Sequence, residues 1–433
     1  MTPSNSQMVL AQRASQAVAG VITLACVAHF LSPVEQGYFY TLASIAALHM
    51  ALDMGLSALL VQFAAREFVG LNWNLRGEVE GAEPSRFLTL VSLSMRWYGI
   101  AAALFLVTYP AGIAFISGIQ GSLSYDWRGP LALLVCATAA NLLFLPVLAL
   151  TEGSGGFAEV YAVRLGQGFA GATASWSVLV MGGGLYAVAM LPLGSLVVAA
   201  LWMYLRRRGM IVQVFRQKMT SFHWGTEVWP LQWRIGASWL AGYVLVLMHV
   251  PLLFRTKGPV VAGQMGVTMT VASMLSIVAL SWMTAELPAM VRAVTVRDWE
   301  QLDQVFLGAF RVSCWVFVAG SVLFGALRWL LEWTPLAVRF LPLVETMGLL
   351  FAMAFYHITA LFTAYLRSHL REPFLWPSLI GALLTAACAI LVAPRWGSAG
   401  VVSVLIFFNA LFFFPIALWL WVRLRQKWHS EMV

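Results

Sequence analysis

The sequence predicts an all-α integral membrane protein, with about twelve transmembrane helices in two pseudo-symmetric six-helix bundles around a central cavity. The 433 residues are 61% hydrophobic and 10% charged, with a mean hydropathy of +0.82, which is more apolar surface than a soluble domain can bury. Apolar runs of roughly 20 residues, the length that crosses a hydrocarbon core about 30 Å thick, recur along the chain. These runs are continuously apolar, without the residue-by-residue alternation of a transmembrane barrel.

Reading polar breaks as loops places the spans at roughly 8–31, 37–65, 87–116, 130–150, 157–180, 184–205, 235–254, 260–285, 304–331, 343–366, 373–393 and 398–422. The first begins MTPSNSQMVLAQRASQ, which lacks a basic leader, and continues to Leu31 without a cleavage site, so an uncleaved helix is expected. PVEQGY opens the second, with Pro33 and Gly37 as a tight turn on the outer side, and that span carries Asp53. The third carries Arg96, the fifth Arg164 and the ninth Arg311. Between the sixth and seventh lies the longest polar segment, RRRGMIVQVFRQKMTSFHWGTEVWPLQWR. It marks a cytoplasmic linker, 206–234, between an N-terminal bundle, 1–205, and a C-terminal bundle, 235–433.

Most of the 26 basic residues fall at the N-terminus and in the even-numbered loops, so both termini are expected in the cytoplasm. Trp127, Trp329, Trp333 and Trp396 then line the outer interface, and Trp224, Trp229, Trp233, Trp299 and Trp428 the inner one. A duplication accounts for the two halves. Pro33, Gly37 and Arg66 recur as Pro259, Gly263 and Arg292, each at an offset of 226 (259−33, 263−37, 292−66), and SMRW around Arg96 lines up with AFRV around Arg311. Six spans per half set both halves the same way up, the parallel-repeat layout of many transporters.

An ionisable group at the centre of a span costs roughly 2.5–3.5 kcal/mol on insertion scales, so each such residue needs a reason. Arg13, Arg96, Arg164 and Arg311 lie roughly 7–15 Å in from the cytoplasmic ends of their spans, counting about 1.5 Å per residue. One account is snorkelling to the inner interface. The other is a basic chamber whose guanidinium forks grip phosphate or pyrophosphate. Asp53, about 20 Å from Arg66 along its helix, has three roles open to it: counter-charge to an arginine, hydrogen bond at a helix junction, or ion coupling. Its repeat counterpart is Ala279 (53+226), so the duplication does not require a carboxylate there. His249 and His357 are candidate proton carriers, against the plainer role of hydrogen-bonded core histidines.

Cys26, Cys136, Cys314 and Cys388 all lie in apolar runs without metal or redox spacing, and no metal or cofactor is expected. GGG at 182–184 and GQGFAG at 166–171 follow no strand and lack a Lys-Ser/Thr ending, so they read as helix-packing glycines and not nucleotide loops. The basic residues sit at membrane boundaries, which argues against nucleic acid. Trp97, Trp176, Trp282 and Trp315 lie inside spans, where lipid contact and packing compete with stacking on sugars.

The stretch LSPVEQGYFYTLASIAALHMALDMGLS resembles the first-to-second helix region of Wzx-like polysaccharide flippases, within the multidrug/oligosaccharidyl-lipid/polysaccharide exporter superfamily. Leu31, Pro33, Gly37 and Tyr38 fit the family's turn, with the tyrosine directly after the glycine, and Asp53, Gly55 and Leu56 match its Asp-x-Gly-Leu. LVAPRWGSAGVVSVLIF, through Pro394, Gly397 and Gly400, resembles its penultimate-to-last helix turn, and TAYLRSHLREPFLWPS the helix before it. The resemblance implies a non-enzymatic flippase of the bacterial inner membrane that moves an undecaprenyl-pyrophosphate-linked oligosaccharide, an O-antigen or exopolysaccharide repeat unit, by alternating access. It implies membrane lipids, a polysaccharide polymerase and chain-length proteins as partners, and arginines on the pyrophosphate. No family motif assigns Arg13, Arg96, Arg164 or Arg311 to that role; depth and charge do.

Two rivals share the architecture. A MATE-like drug or cation exporter calls for buried carboxylates, whereas the first span offers Arg13 and no acid. A MurJ-like lipid II flippase resembles a fourteen-span chain. A polymerase or ligase calls for a sizeable external loop, and every odd-numbered loop is short.

Overall fold

A computed structural model describes residues 5–81, 83–118, 125–216, 222–369 and 373–430, without the side chains of residues 5–11, 13, 14 and 430. Among the described residues, eight helical stretches are long and apolar enough to cross a membrane, or nine if the bent pair Trp229–Val246 and His249–Lys257 is one span. The chain is thus an all-α, multi-pass membrane protein. Helices also cover the other expected spans, 8–31 and 157–180. The last two expected spans fall within one apolar stretch, Leu375–His429, that is kinked at Gly397.

The chain forms two compact units, residues 1–243 and 244–433. The first contains α1 (Asn5–Phe30), α2 (Pro33–Ala46), α3 (His49–Asp53), α4 (Leu56–Glu67), β1 (Leu71–Trp73), β2 (Val79–Gly81), α5 (Ser85–Leu106), α6 (Thr108–Ser117), α7 (Arg128–Leu142), α8 (Leu145–Gly153), α9 (Phe157–Val180), α10 (Tyr186–Trp202), α11 (Arg208–Arg216), α12 (Trp224–Glu227) and most of α13 (Trp229–Val246). The second contains α14 (His249–Lys257), α15 (Pro259–Val296), α16 (Trp299–Leu331), α17 (Leu343–Ser368), α18 (Leu375–Phe407) and α19 (Phe414–Ser430).

Local chemistry explains the helix ends that matter. Ser32 caps α2 in a reciprocal box: its hydroxyl accepts from the Glu35 amide at 3.2 Å, and the Glu35 carboxylate accepts from the Ser32 amide at 2.8 Å. Pro33 and Pro259 are the first residues of α2 and α15, where a missing N–H costs nothing and φ is already helical. The expected turn is therefore corrected: Gly37 and Gly263 lie one helical turn inside their helices, because each helix starts at its proline.

The corresponding helices of the two units differ in continuity. The second span breaks between Ala46 and His49, and again at Met54 and Gly55, which have φ of 50° and 65°. A Cβ on Gly55 would lie 2.2 Å from Ile235 Cγ2, so both the left-handed backbone and the close approach require glycine there. The fourth span breaks at Leu143–Phe144. By contrast α15 runs 38 residues, about 57 Å, and outreaches the hydrocarbon core. At Gly397, φ 59° and ψ −140° kink α18 in a conformation that only glycine holds at little cost.

The segment expected as the loop after the second span contains an antiparallel hairpin, β1 with β2, in the register Leu71 to Gly81 and Trp73 to Val79. Asn74 builds its turn, its Oδ1 accepting from the Arg76 and Glu78 amides at 2.9 Å each. Gln213 of α11 bonds the Val79 amide and carbonyl at 2.8 and 3.1 Å, and the Met210 amide donates to the Gly77 carbonyl at 2.9 Å. The hairpin is thereby docked on the start of the expected linker.

Candidate functional site

Asp53 ends α3 just before the left-handed break. A carboxylate at a helix C-terminus opposes the helix dipole, so it needs donors of its own. The Tyr98 hydroxyl of α5, fully buried, donates to Oδ1, and the Ser57 hydroxyl donates to Oδ2 at 3.0 Å. Asp53 is 6% exposed and forms no ion pair among the described residues. Of the three roles open to it, the helix junction is the one whose partners are in place.

The second unit repeats this contact with different chemistry. The offset that carries Pro33 to Pro259 carries Asp53 to Ala279, and the one that carries Arg96 to Arg311 carries Tyr98 to Ser313 (98+215). Ser313 donates to the Ala279 carbonyl at 2.7 Å, as Tyr98 donates to the Asp53 carboxylate. His357 of α17 completes the second cluster, between Ser276 and Ser313.

The four arginines have different surroundings. Arg13 is in α1, and its side chain lies outside the described residues. Arg164 is half-buried and paired with Glu152 at 2.7 Å, with its guanidinium over Tyr161. Arg96 and Arg311 are exposed, and neither is in an ion pair among the described residues. They stand two residues before Tyr98 and Ser313, in matching places on α5 and α16. Next to Arg96, Trp97 stacks on Trp224 with ring centroids 6.2 Å apart at 18°, which anchors the segment entering α13.

Charged residues expected in loops or near span ends form two further clusters in the first unit. Arg207, 6% exposed, pairs with Glu159 at 2.5 Å and lies 4.2 Å over the Trp73 ring, while Trp202 donates to the same carboxylate at 2.7 Å. Arg86 joins Glu67 and Glu227 at 2.7 Å each, and Arg66 bonds both acids from the other side. These partners are up to 161 residues apart, and their spacing carries no local signal.

A cavity of about 360 Å³ lies within the first unit, at the breaks of the second and fourth spans. Leucine and alanine dominate its wall, and His49, Thr138, Asn141, Gln167 and Ser195 are its polar members. Irregular backbone at membrane depth is tolerated where it is buried in protein or lines a cavity. Asn141 donates to the Pro192 carbonyl of α10 at 2.5 Å and accepts from Ser195 at 3.3 Å. The Thr138 hydroxyl is buried with no partner. The lining mixes neutral donors and acceptors, which suits a neutral polar group better than an ion. These residues were missed in the sequence; neutral polar residues three apart in an apolar span, Thr138 and Asn141, are the signal that marks them.

No family model matches the chain, and no curated protein does. Solved structures do. A multidrug resistance MATE family transporter of the MOP superfamily, inward-facing, is 14% identical with a TM-score of 0.66, covering 100% of this chain and 96% of that one. A MOP superfamily transporter from Pyrococcus furiosus, described as having a binding pocket of reverse polarity, is 13% identical with a TM-score of 0.60, covering 100% and 97%. The lipid II flippase MurJ in an inward closed conformation is 12% identical with a TM-score of 0.62, covering 96% and 86%. At these identities the likeness establishes the fold, which is that of MOP superfamily transporters.

Proposed function

We propose that the chain is a flippase that moves an undecaprenyl-pyrophosphate-linked oligosaccharide across a bacterial cytoplasmic membrane by alternating access, with both termini on the cytoplasmic side. One observation carries the choice of cargo: Arg96 and Arg311, at matching places in the two units, are exposed and without ion-pair partners among the described residues. An unpaired guanidinium on a membrane helix is stabilised by a phosphate, which it grips through two parallel hydrogen bonds. Arg164, neutralised by Glu152, has a smaller role, and Arg13 contributes its charge near the cytoplasmic end of α1. Asp53 ties the end of α3 to Ser57 of α4 and Tyr98 of α5. A polymerase and chain-length proteins act downstream of such a flippase.

A cation exporter needs an acid open to its cargo. The intramembrane acid of the first unit is buried and occupied by two hydroxyls, which weighs against that alternative. A lipid II flippase shares the pyrophosphate, so the same arginines serve either lipid-linked cargo.

The test is export of surface polysaccharide in a deletion strain complemented with Arg96→Ala or Arg311→Ala. A charge-assisted contact is worth about 1.5–3 kcal/mol, so each variant should lose roughly ten- to a hundredfold in export rate at normal protein level. Full export in both variants sinks the proposal. Single cysteines at these positions should be labelled from the cytoplasm in one state of the cycle; protection from both sides under all conditions would assign the arginines to structure.

A further inference from the structure

His357 sits near the middle of the 26-residue α17, 1% exposed. Its Nδ1 is 3.1 Å from Ser276 Oγ and its Nε2 3.0 Å from Ser313 Oγ, and the ring stacks on Phe317 with centroids 4.8 Å apart. The Ser313 hydroxyl hydrogen is already committed to the Ala279 carbonyl at 2.7 Å. Ser313 Oγ therefore accepts from His357, which places the ring proton on Nε2 and leaves Nδ1 to accept from Ser276. A second proton at Nδ1 requires only that the Ser276 hydroxyl rotate and turn a lone pair to the ring.

His249 is built the other way. Its Nε2 is 3.0 Å from the Leu245 carbonyl, and its Nδ1 is buried without a partner, so a proton arriving there has no acceptor. Of the two candidate proton carriers, only His357 has a protein group ready for each protonation state.

We propose that His357 is a proton-binding site of the second unit, taking a proton at Nδ1 as α15, α16 and α17 loosen around it and releasing it as they close. The coupling role rests on the transport reading. Among the described residues α15 presents Ser276 and the Ala279 carbonyl, and α16 presents Ser313 and Phe317, with the Cys314 thiol next along the chain. Among the described residues the hydrogen-bond partners of the imidazole are the uncharged Ser276 and Ser313. The place is the repeat counterpart of the Asp53–Tyr98 contact, so each unit gathers one ionisable group there, a carboxylate in the first and an imidazole in the second. Water stabilises an imidazolium more than two hydroxyls do, so proton binding and opening are linked, and acid favours the loosened form.

The experiment is hydrogen–deuterium exchange on the full chain in lipid nanodiscs, read in residues 259–296 and 343–368 and corrected for the intrinsic pH dependence of exchange. Corrected exchange in the wild type should rise about tenfold between pH 8 and pH 5.5. In His357→Gln, whose amide supplies one donor and one acceptor without titrating, it should stay flat, while Asp53→Asn keeps the rise. A flat wild type, or an equal rise in His357→Gln, overturns the proposal. Nitrogen-15 imidazole spectra of the wild type probe the same ring without a variant: a closed-state ring that is Nδ1–H neutral, or already imidazolium at pH 8, overturns it. Neither measurement uses a cargo, so the proton site can fail while the export assay succeeds, and the reverse.

Discussion

Replacing Asp53 by alanine isolates the contact that organises the first unit. The loss removes the carboxylate that accepts from the fully buried Tyr98 hydroxyl, whereas Ser57, one turn on from Asp53, is placed to rebond to the Asp53 carbonyl. Interhelical hydrogen bonds in membrane proteins average about 0.6 kcal/mol with a maximum near 1.7. A carboxylate acceptor with a buried donor belongs at the upper end, about 1.5 kcal/mol. The quantity to measure is the coupling in a double-mutant cycle of Asp53→Ala, Tyr98→Phe and the pair, by reversible detergent unfolding in mixed micelles. A coupling of about 1.5 kcal/mol, roughly a tenfold change in equilibrium constant, is expected, with Asp53→Asn costing less because one oxygen acceptor survives. Additive effects, with coupling below about 0.3 kcal/mol, would refute the assignment of Asp53 to the junction.

Three other outcomes follow from the geometry. Gly397→Ala forces a side chain into φ 59°, ψ −140°, and should cost about 1–3 kcal/mol, seen as a lowered midpoint in thermal unfolding followed by tryptophan fluorescence. Gly77→Ala puts a Cβ 2.0 Å from the Arg206 carbonyl oxygen, so the hairpin should lift off α11 and trypsin should cut after Arg76 about tenfold faster while the helices stay intact. Arg164→Ala should leave export within about twofold, because Glu152 already satisfies that charge, and Glu152→Gln with Arg164→Ala should recover any stability lost; a defect as deep as that of Arg96→Ala would mean that Arg164 holds cargo.

The helices were legible because membrane insertion depends on a sum of apolar transfer along a single segment, and that sum is local. The span expected at 157–180 coincides with α9, and Pro33 and Pro259 mark the helix starts. The hairpin at 71–81 was not legible, since three-residue strands with a turn give too short a pattern and Gln213, 134 residues away, completes their pairing. The breaks were half visible: Gly55 and Gly397 stand in the sequence, but nothing local says which glycine leaves the helical region.

The candidate site divides along the same line. Which polar residues stand in apolar spans is a property of the chain, and Asp53, Arg96, Arg311 and His357 all stand out there. Which of them is paired is not. Asp53 meets Tyr98 across 45 residues and His357 meets Ser313 across 44, while Arg96 and Arg311 meet no acid among the described residues. A hydrogen bond acts over about 3 Å and depends on angle, so it is decided only when separate helices are set side by side. Sequence alone determined that this chain lives in the membrane as helices and where its costly polar groups lie. The tertiary structure decided which of those groups are satisfied within the protein and which remain open to bind something else.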